Sequence, residues 1–186
     1  MVDYDKIIAS FYPKGSDAYN LLYKHSEQVA HLSVALAKRR PKLNVDIDFV
    51  FEASMLHDIG IFKTNAPSIY CNGDAPYLQH GLFGKEILSE LGLHRHALVC
   101  ERHIGAGLTA CEILEQKLPL PAVDMLPLTI EEKLVCYADN FYSKSKIAKA
   151  KPLNVVVESM SKYGNGTLRR LDEMIGLFGS PDDLNM

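Results

Sequence analysis

Histidines and aspartates at wide intervals carry the chemistry this chain could do: His25, the adjacent His57 and Asp58, His80, His103 and Asp139. They fall on separate helices or at helix starts, on faces expected to point inward. Burying such groups costs free energy unless something binds them. Ligands that converge from facing helices at the centre of a bundle make a metal site. Imidazole gives one nitrogen ligand, whereas a carboxylate has two oxygens and can bridge two ions. Mixed His and carboxylate ligands suit Fe, Mn, Zn, Co or Ni, and the sequence does not choose among them.

The adjacent pair is the informative part. Consecutive helix residues point about 100° apart. His57 and Asp58 therefore share an ion only where it sits in the groove between their directions. A helix end makes that easiest, and Gly60 in "LHDIG" supplies the end. Asp139 read alone could be a buried carboxylate paired with arginine, but no arginine is near it in sequence.

The elements that must position these groups are helical nearly throughout. A short helix is expected over about 3–11, broken by "PKG". Ser16 or Asp17 caps a second, which runs to about Arg40 and is stopped by Pro41. Its apolar stripe is Ala18, Leu21, Leu22, Val29, Leu32 and Leu36, with His25 on it and His31 on its flank. A third runs from near Asp46 to near Gly60. Residues 61–79 carry Pro67, Asn72-Gly73 and Pro76 and read as a long loop bordering the site. Helices follow over about 80–91, 94–104 and 109–117. Thr129 then opens a strong helix through "IEEKLVCYADNFYSKS", with Glu132 placed for a capping box. Helices over 153–163 and 166–178 close the chain. No convincing strand pair is visible, and the fold class is all-α.

Composition narrows the function. The chain has 186 residues, 47% of them hydrophobic, and a formal net charge of −3. That balance gives no reason to expect nucleic acid held by bulk charge, so no duplex partner is expected. No apolar stretch approaches a membrane span, and the N-terminus is unlike a signal peptide. Four cysteines without C-x-x-C spacing fit a cytoplasmic chain with reduced thiols.

The pattern H…HD…H…H…D resembles the HD-domain superfamily of metal-dependent phosphohydrolases. The matching stretches are "YKHSEQVA", "LHDIG", "QHGLFGKEIL", "CERHIGAG" and "YADNFYS", spanning residues 25–142. The resemblance implies that residues 1–186 form a single HD domain. Its metal-binding core would cover about 16–145, with C-terminal helices 153–178 packed on it. It also implies that His25, His57, Asp58 and Asp139 hold a first divalent transition metal. His80 and His103 would hold a second, with Asp58 bridging. His57 and Asp58 are then the catalytic pair, and a metal-activated water cleaves a phosphate ester or anhydride of a nucleotide or dinucleotide. The chain is most similar to uncharacterised HD proteins and to those that hydrolyse diadenosine tetraphosphate. A glycine-tyrosine-proline signature is missing after His103. Ile61 stands where many relatives place a lysine, with Lys63 two positions later.

Lys63 and Arg102 are candidate substrate-phosphate contacts. His94 and His96, at a helix start after Gly92, read as surface residues. "NFYSKSK" after Asp139 reads as packing and helix-end charge. A single-metal nucleotidase and a non-catalytic nucleotide-binding HD module are the competing readings. Two irons activating dioxygen are a fourth. A homodimer is compatible with all of them.

Overall fold

Capping side chains start most of the helices. Asp3, Ser16, Asp46, Thr109 and Thr129 each accept a backbone N–H from three residues on. They thereby satisfy donors that a helix N-terminus leaves free. The computed structural model describes residues 2–144 and 150–184. Among these, α1 (Tyr4–Phe11), α2 (Asp17–Arg39), α3 (Ile47–Leu56), α4 (His80–Glu90) and α5 (His94–Arg102) form the first part of the fold. They are followed by α6 (Ala110–Glu115), α7 (Ile130–Asp139), α8 (Leu153–Ser161) and α9 (Asn165–Phe178). The fold is all-α. No helix among the described residues is long and apolar enough to cross a membrane.

Two apolar clusters divide the interior. One joins α2, α3, α5 and α7 to the C-terminal helices through Leu36, Val50, Leu134, Phe141 and Phe178. The other joins α1 and α4 to α2, α3 and α5 through Tyr12, Leu22, Leu56, Ile59 and Cys100. The helix carrying His25 passes from one to the other, with Leu22 in the second cluster and Val29 in the first. Full burial of a side chain such as Phe178 contributes ~1.5–3 kcal/mol. Phe178 packs on Tyr137 of α7, ring centroids 5.8 Å apart. Arg170 of α9 donates to the carbonyls of Ala106 and Gly107 at 3.0 Å each, fixing the turn just after His103. The C-terminal helices thus brace the segments that carry His103 and Asp139.

Several details differ from the sequence reading. The stretch 61–79 contains a two-residue antiparallel pair, β1 (Asn65–Ala66) with β2 (Cys71–Asn72). Two residues offer no alternation to read. α3 stops at Leu56, and Ile59–Lys63 forms a tighter 3-10 turn, so Gly60 lies beyond the helix end. Tyr12 holds that turn by donating to the Ile59 carbonyl at 2.8 Å and accepting from the Phe62 N–H at 3.1 Å. α7 ends at Asp139 instead of continuing to the lysines. The Asn140 side-chain amide takes the Cys136 carbonyl at 2.9 Å, which that residue's own N–H would otherwise use. The last residue of the expected extension, Ser145, lies outside the described residues. Glu132 makes no capping box, because its carboxylate accepts from Leu128 N–H and Arg102, each at 2.9 Å. The box forms at Thr109 and Glu112 instead.

Candidate metal centre

Helix ends supply most of the centre. His25 lies in the middle of α2. His57 caps α3, Asp58 follows it, His80 opens α4, His103 caps α5 and Asp139 closes α7. Two glycines allow the close approach this needs. A Cβ on Gly60 would stand 2.3 Å from the His80 carbonyl oxygen, and one on Gly81 would stand 2.4 Å from that of Cys100. Gly60 therefore seats the Asp58 turn against α4, and Gly81 seats α4 against α5. Gly60→Ala is expected to cost ~1–3 kcal/mol through overpacking. It should also move His80 away from Asp58. Thermal unfolding and metal content per chain read both effects; an unchanged Tm would contradict the packing argument.

The six side chains meet in one buried cluster. His25 Nε2 lies 2.9 Å from Asp139 Oδ1 and 3.3 Å from Asp58 Oδ2. His57 Nε2 lies 3.1 Å from Asp58 Oδ2 and 3.5 Å from Asp139 Oδ1. The other Asp58 oxygen, Oδ1, faces His80 Nε2 at 3.3 Å and His103 Nε2 at 3.5 Å. One carboxylate thus addresses two histidine-bearing groups, one oxygen to each.

Hydrogen bonds behind the cluster fix the rings. Nδ1 of His57 lies 2.6 Å from the Ser54 carbonyl, that of His80 2.7 Å from Tyr77, and that of His103 2.8 Å from Cys100. A carbonyl can only accept, so each Nδ1 carries the proton and donates it. In the neutral ring, Nε2 then presents a lone pair to the centre, which is how a metal-ligating histidine is held. The Tyr77 ring also stacks on His80, centroids 4.7 Å apart.

The inward atoms suit a cation. His25 Nε2, His57 Nε2, Asp58 Oδ1 and Asp139 Oδ1 are buried with no aligned hydrogen bond among the described residues. Such orphaned groups call for a partner. The ligand atoms of His25, His57, Asp58 and Asp139 lie within 4.8 Å of one another, as do those of Asp58, His80 and His103. Two carboxylates with nitrogen donors fit a divalent ion, and the chain's own cation stands in meanwhile: Lys144 Nζ lies 2.7 Å from Asp58 Oδ2.

Charge in the cluster separates the histidines. Burial alone would lower His57, but the Asp58 and Asp139 carboxylates raise it to about 10. Burial pushes His80 down to about 3. Burial opposes ionisation of Asp58 and Asp139, yet His57 and Lys144 hold both well below the usual carboxylate range. These shifts set a pH optimum for metal-free stability. Between about 6.5 and about 10 the folded chain keeps a His57 proton that the unfolded chain has lost. That contribution is full below 6.5 and vanishes as pH rises through 10. Between about 3 and about 6.5 the unfolded chain protonates His80 and the folded chain does not, so stability falls with falling pH. The depressed carboxylates add to the loss at still lower pH. Tm in chelator is therefore expected to peak near pH ~6.5; a steady climb from pH ~6 to ~9 would contradict the assignment.

Comparison with known proteins gives the family. The family model described as HD domain matches residues 22–143. The chain belongs to the HD-domain family. An uncharacterised protein of Methanocaldococcus jannaschii is 42% identical over 114 residues, 61% of this chain and 60% of the relative. A protein of Picrophilus torridus named tRNA (cytidine(56)-2'-O)-methyltransferase is 36% identical over 156 residues, 83% of this chain but 39% of the relative. The chain thus spans 60% of the length of the first relative and 39% of the second. The crystal structure of the HD domain of the L. monocytogenes phosphodiesterase PgpH superposes with a TM-score of 0.56 at 21% identity, covering 95% of this chain and 88% of that one. The same domain in complex with cyclic-di-AMP gives 0.54 at 20%, with the same coverage. These likenesses concern the fold.

Within the HD domain, the structure brings His25, His57, Asp58, His80, His103 and Asp139 together. Lys63 and Arg102 are engaged elsewhere. Lys63 Nζ lies 3.5 Å from Glu86 and over the Phe83 ring. Arg102 donates to Glu132 at 2.9 Å and lies 3.7 Å from Glu101. His94 is exposed, as expected, but His96 is buried, 3.3 Å from Glu52 and stacked edge-on against Phe49. Lys144 and Tyr77 were not singled out by the sequence reading. Nothing in "NFYSKSK" marks one lysine as the inward one.

Proposed function

We propose that this chain is a metal-dependent phosphohydrolase, cleaving a phosphate ester or anhydride of a nucleotide or dinucleotide with an activated water. The observation that carries the reading is the Asp58 carboxylate, with one oxygen toward His25 and His57 and the other toward His80 and His103. His25, His57, Asp58 and Asp139 would hold one divalent ion, and His80 and His103 a second shared with Asp58. Ions held there supply Lewis acidity, activating water and neutralising phosphate charge.

The protein's part is orientation. Three Nδ1–H donations keep the Nε2 atoms of His57, His80 and His103 aimed inward before any ligand arrives. The stacked Tyr77 ring walls the His80 side, and burial pushes its phenol up to about 12, so it stays protonated as a donor. A nucleotide is the favoured substrate class because the fold's structural neighbour is seen with cyclic-di-AMP. The methyltransferase-named relatives add RNA-derived nucleotides to the candidates.

A single-metal reading has its own support. His80 Nε2 lies 3.1 Å from His103 Nε2, within contact distance for the two rings to serve structure together. Metal counted per chain separates the two arrangements.

The test is a substrate panel on protein loaded with Mn, Fe, Co or Ni. It should contain nucleoside mono-, di- and triphosphates, dinucleoside polyphosphates, cyclic mono- and dinucleotides, and short RNAs with cyclic phosphate ends. Hydrolysis of at least one class, abolished by chelator, is expected. No turnover of any class at any loading overturns the proposal.

A further inference from the structure

Lys144 is a half-buried cation to which the proposed hydrolysis assigns no part. Its Nζ lies 2.7 Å from Asp58 Oδ2 and 3.9 Å from Asp139 Oδ1. These are the same two oxygens that face His25 and His57. An ion held by that ligand set and an ammonium on the same oxygens would be like charges a few ångström apart in a largely buried site, where repulsion is strong. They exclude each other.

The surroundings give the ammonium somewhere to go. Lys144 lines a hollow of about 540 Å³ with Ser68, Tyr77, Tyr142 and Lys151. It also lines a second of about 400 Å³ with Asp17, Lys24, Ser68 and Tyr70. The side chain therefore stands where two surface hollows meet the metal ligands. Lys151 donates to the Asn140 carbonyl at 2.8 Å and has two further N–H groups to offer. A lysine stem has four rotatable carbons, so its ammonium swings without moving the backbone.

We propose that Lys144 and the metal are alternative occupants of the Asp58–Asp139 pair, and that metal binding turns the ammonium into the adjoining hollow, where it and Lys151 receive a substrate phosphate. The substrate half of this rests on the phosphohydrolase reading. The exchange half does not. Lys144 thus keeps the carboxylates neutralised until the ion arrives, and the ion's arrival delivers the phosphate-binding cation.

Lys144→Met and Lys144→Arg test this with two binding measurements. The first is Mn2+ affinity by competition with a chelator. Removing the competing charge in Lys144→Met should tighten Mn2+ about tenfold. The second is the affinity of Mn2+-loaded protein for inorganic phosphate, which should weaken about tenfold or more in Lys144→Met through loss of a charge-assisted hydrogen bond. Lys144→Arg keeps the cation and should stay near wild type in the phosphate measurement. Equal Mn2+ affinity in wild type and Lys144→Met overturns the proposal, as does equal phosphate affinity once loaded. Lys144→Gln replaces the Met variant if that chain does not fold. Neither readout needs turnover. A protein that behaves as expected here yet hydrolyses nothing fails the phosphohydrolase reading alone.

Discussion

Replacing Asp58 with asparagine is expected to remove bound metal and hydrolysis together. The change keeps the shape of the side chain and deletes its charge. It also leaves one oxygen where two are used, Oδ2 toward His25 and His57 and Oδ1 toward His80 and His103. Both ligand groups are therefore damaged by one substitution. A loss of about 10³-fold or more in kcat, ~4 kcal/mol of barrier, is expected. Metal per chain should fall in parallel. The same substitution takes the counter-charge from Lys144 and the protonated His57, and breaking a buried pair from one side costs ~3–5 kcal/mol. The metal-free variant should accordingly melt below the metal-free wild type. Kinetics, elemental analysis and thermal unfolding read the three effects. Wild-type metal content in Asp58→Asn would contradict the shared role of this carboxylate.

Metal affinity should rise with pH by about tenfold per unit between pH ~6 and ~9. The reason is His57. Asp58 and Asp139 hold it protonated up to about 10 against the effect of burial, and ligation requires the neutral ring. Binding therefore releases that proton. His80, lowered to about 3 by burial, is already neutral and releases none. The sign is fixed: protons compete with the ion, so acid weakens binding. Titration calorimetry in buffers of different ionisation enthalpy should give about one proton released per His57-bound ion. A flat affinity across this range would show that His57 is neutral in the metal-free protein, or is not a ligand.

The two predictions draw on features of unequal legibility. The types and spacing of His25, His57, Asp58 and Asp139 could be read from the chain, because a helical period places them inward and local chemistry makes them costly there. His80 and His103 could be named as a second pair, but the backbone approach that brings them together could not be read. It depends on Gly60 and Gly81, whose missing Cβ atoms admit the backbone of a neighbouring segment. In sequence Gly60 read as a helix end, and Gly81 fell inside the helix expected over about 80–91. Long-range pairs were equally hidden. His96 looked like a surface residue at a helix start, yet Glu52 and Phe49 of α3 bury it. The end of α7 was decided by one side-chain amide, that of Asn140, competing for a helical carbonyl. Glu132 was at capping-box spacing, but Arg102 and the Leu128 N–H hold its carboxylate. Lys144 was one basic residue in a polar run until the fold set it on Asp58.

Metal content gives the most direct test of the centre. Purified protein, reconstituted with Mn2+ or Fe2+, should be analysed for metal per chain and crystallised for an anomalous difference map. Two peaks are expected with Asp58 between them, one against His25, His57 and Asp139 and the other against His80 and His103. A single peak with His80 turned toward His103 would contradict the two-ion centre, and a chain that takes up no stoichiometric metal, with Lys144 still on Asp58, would contradict a metal centre altogether.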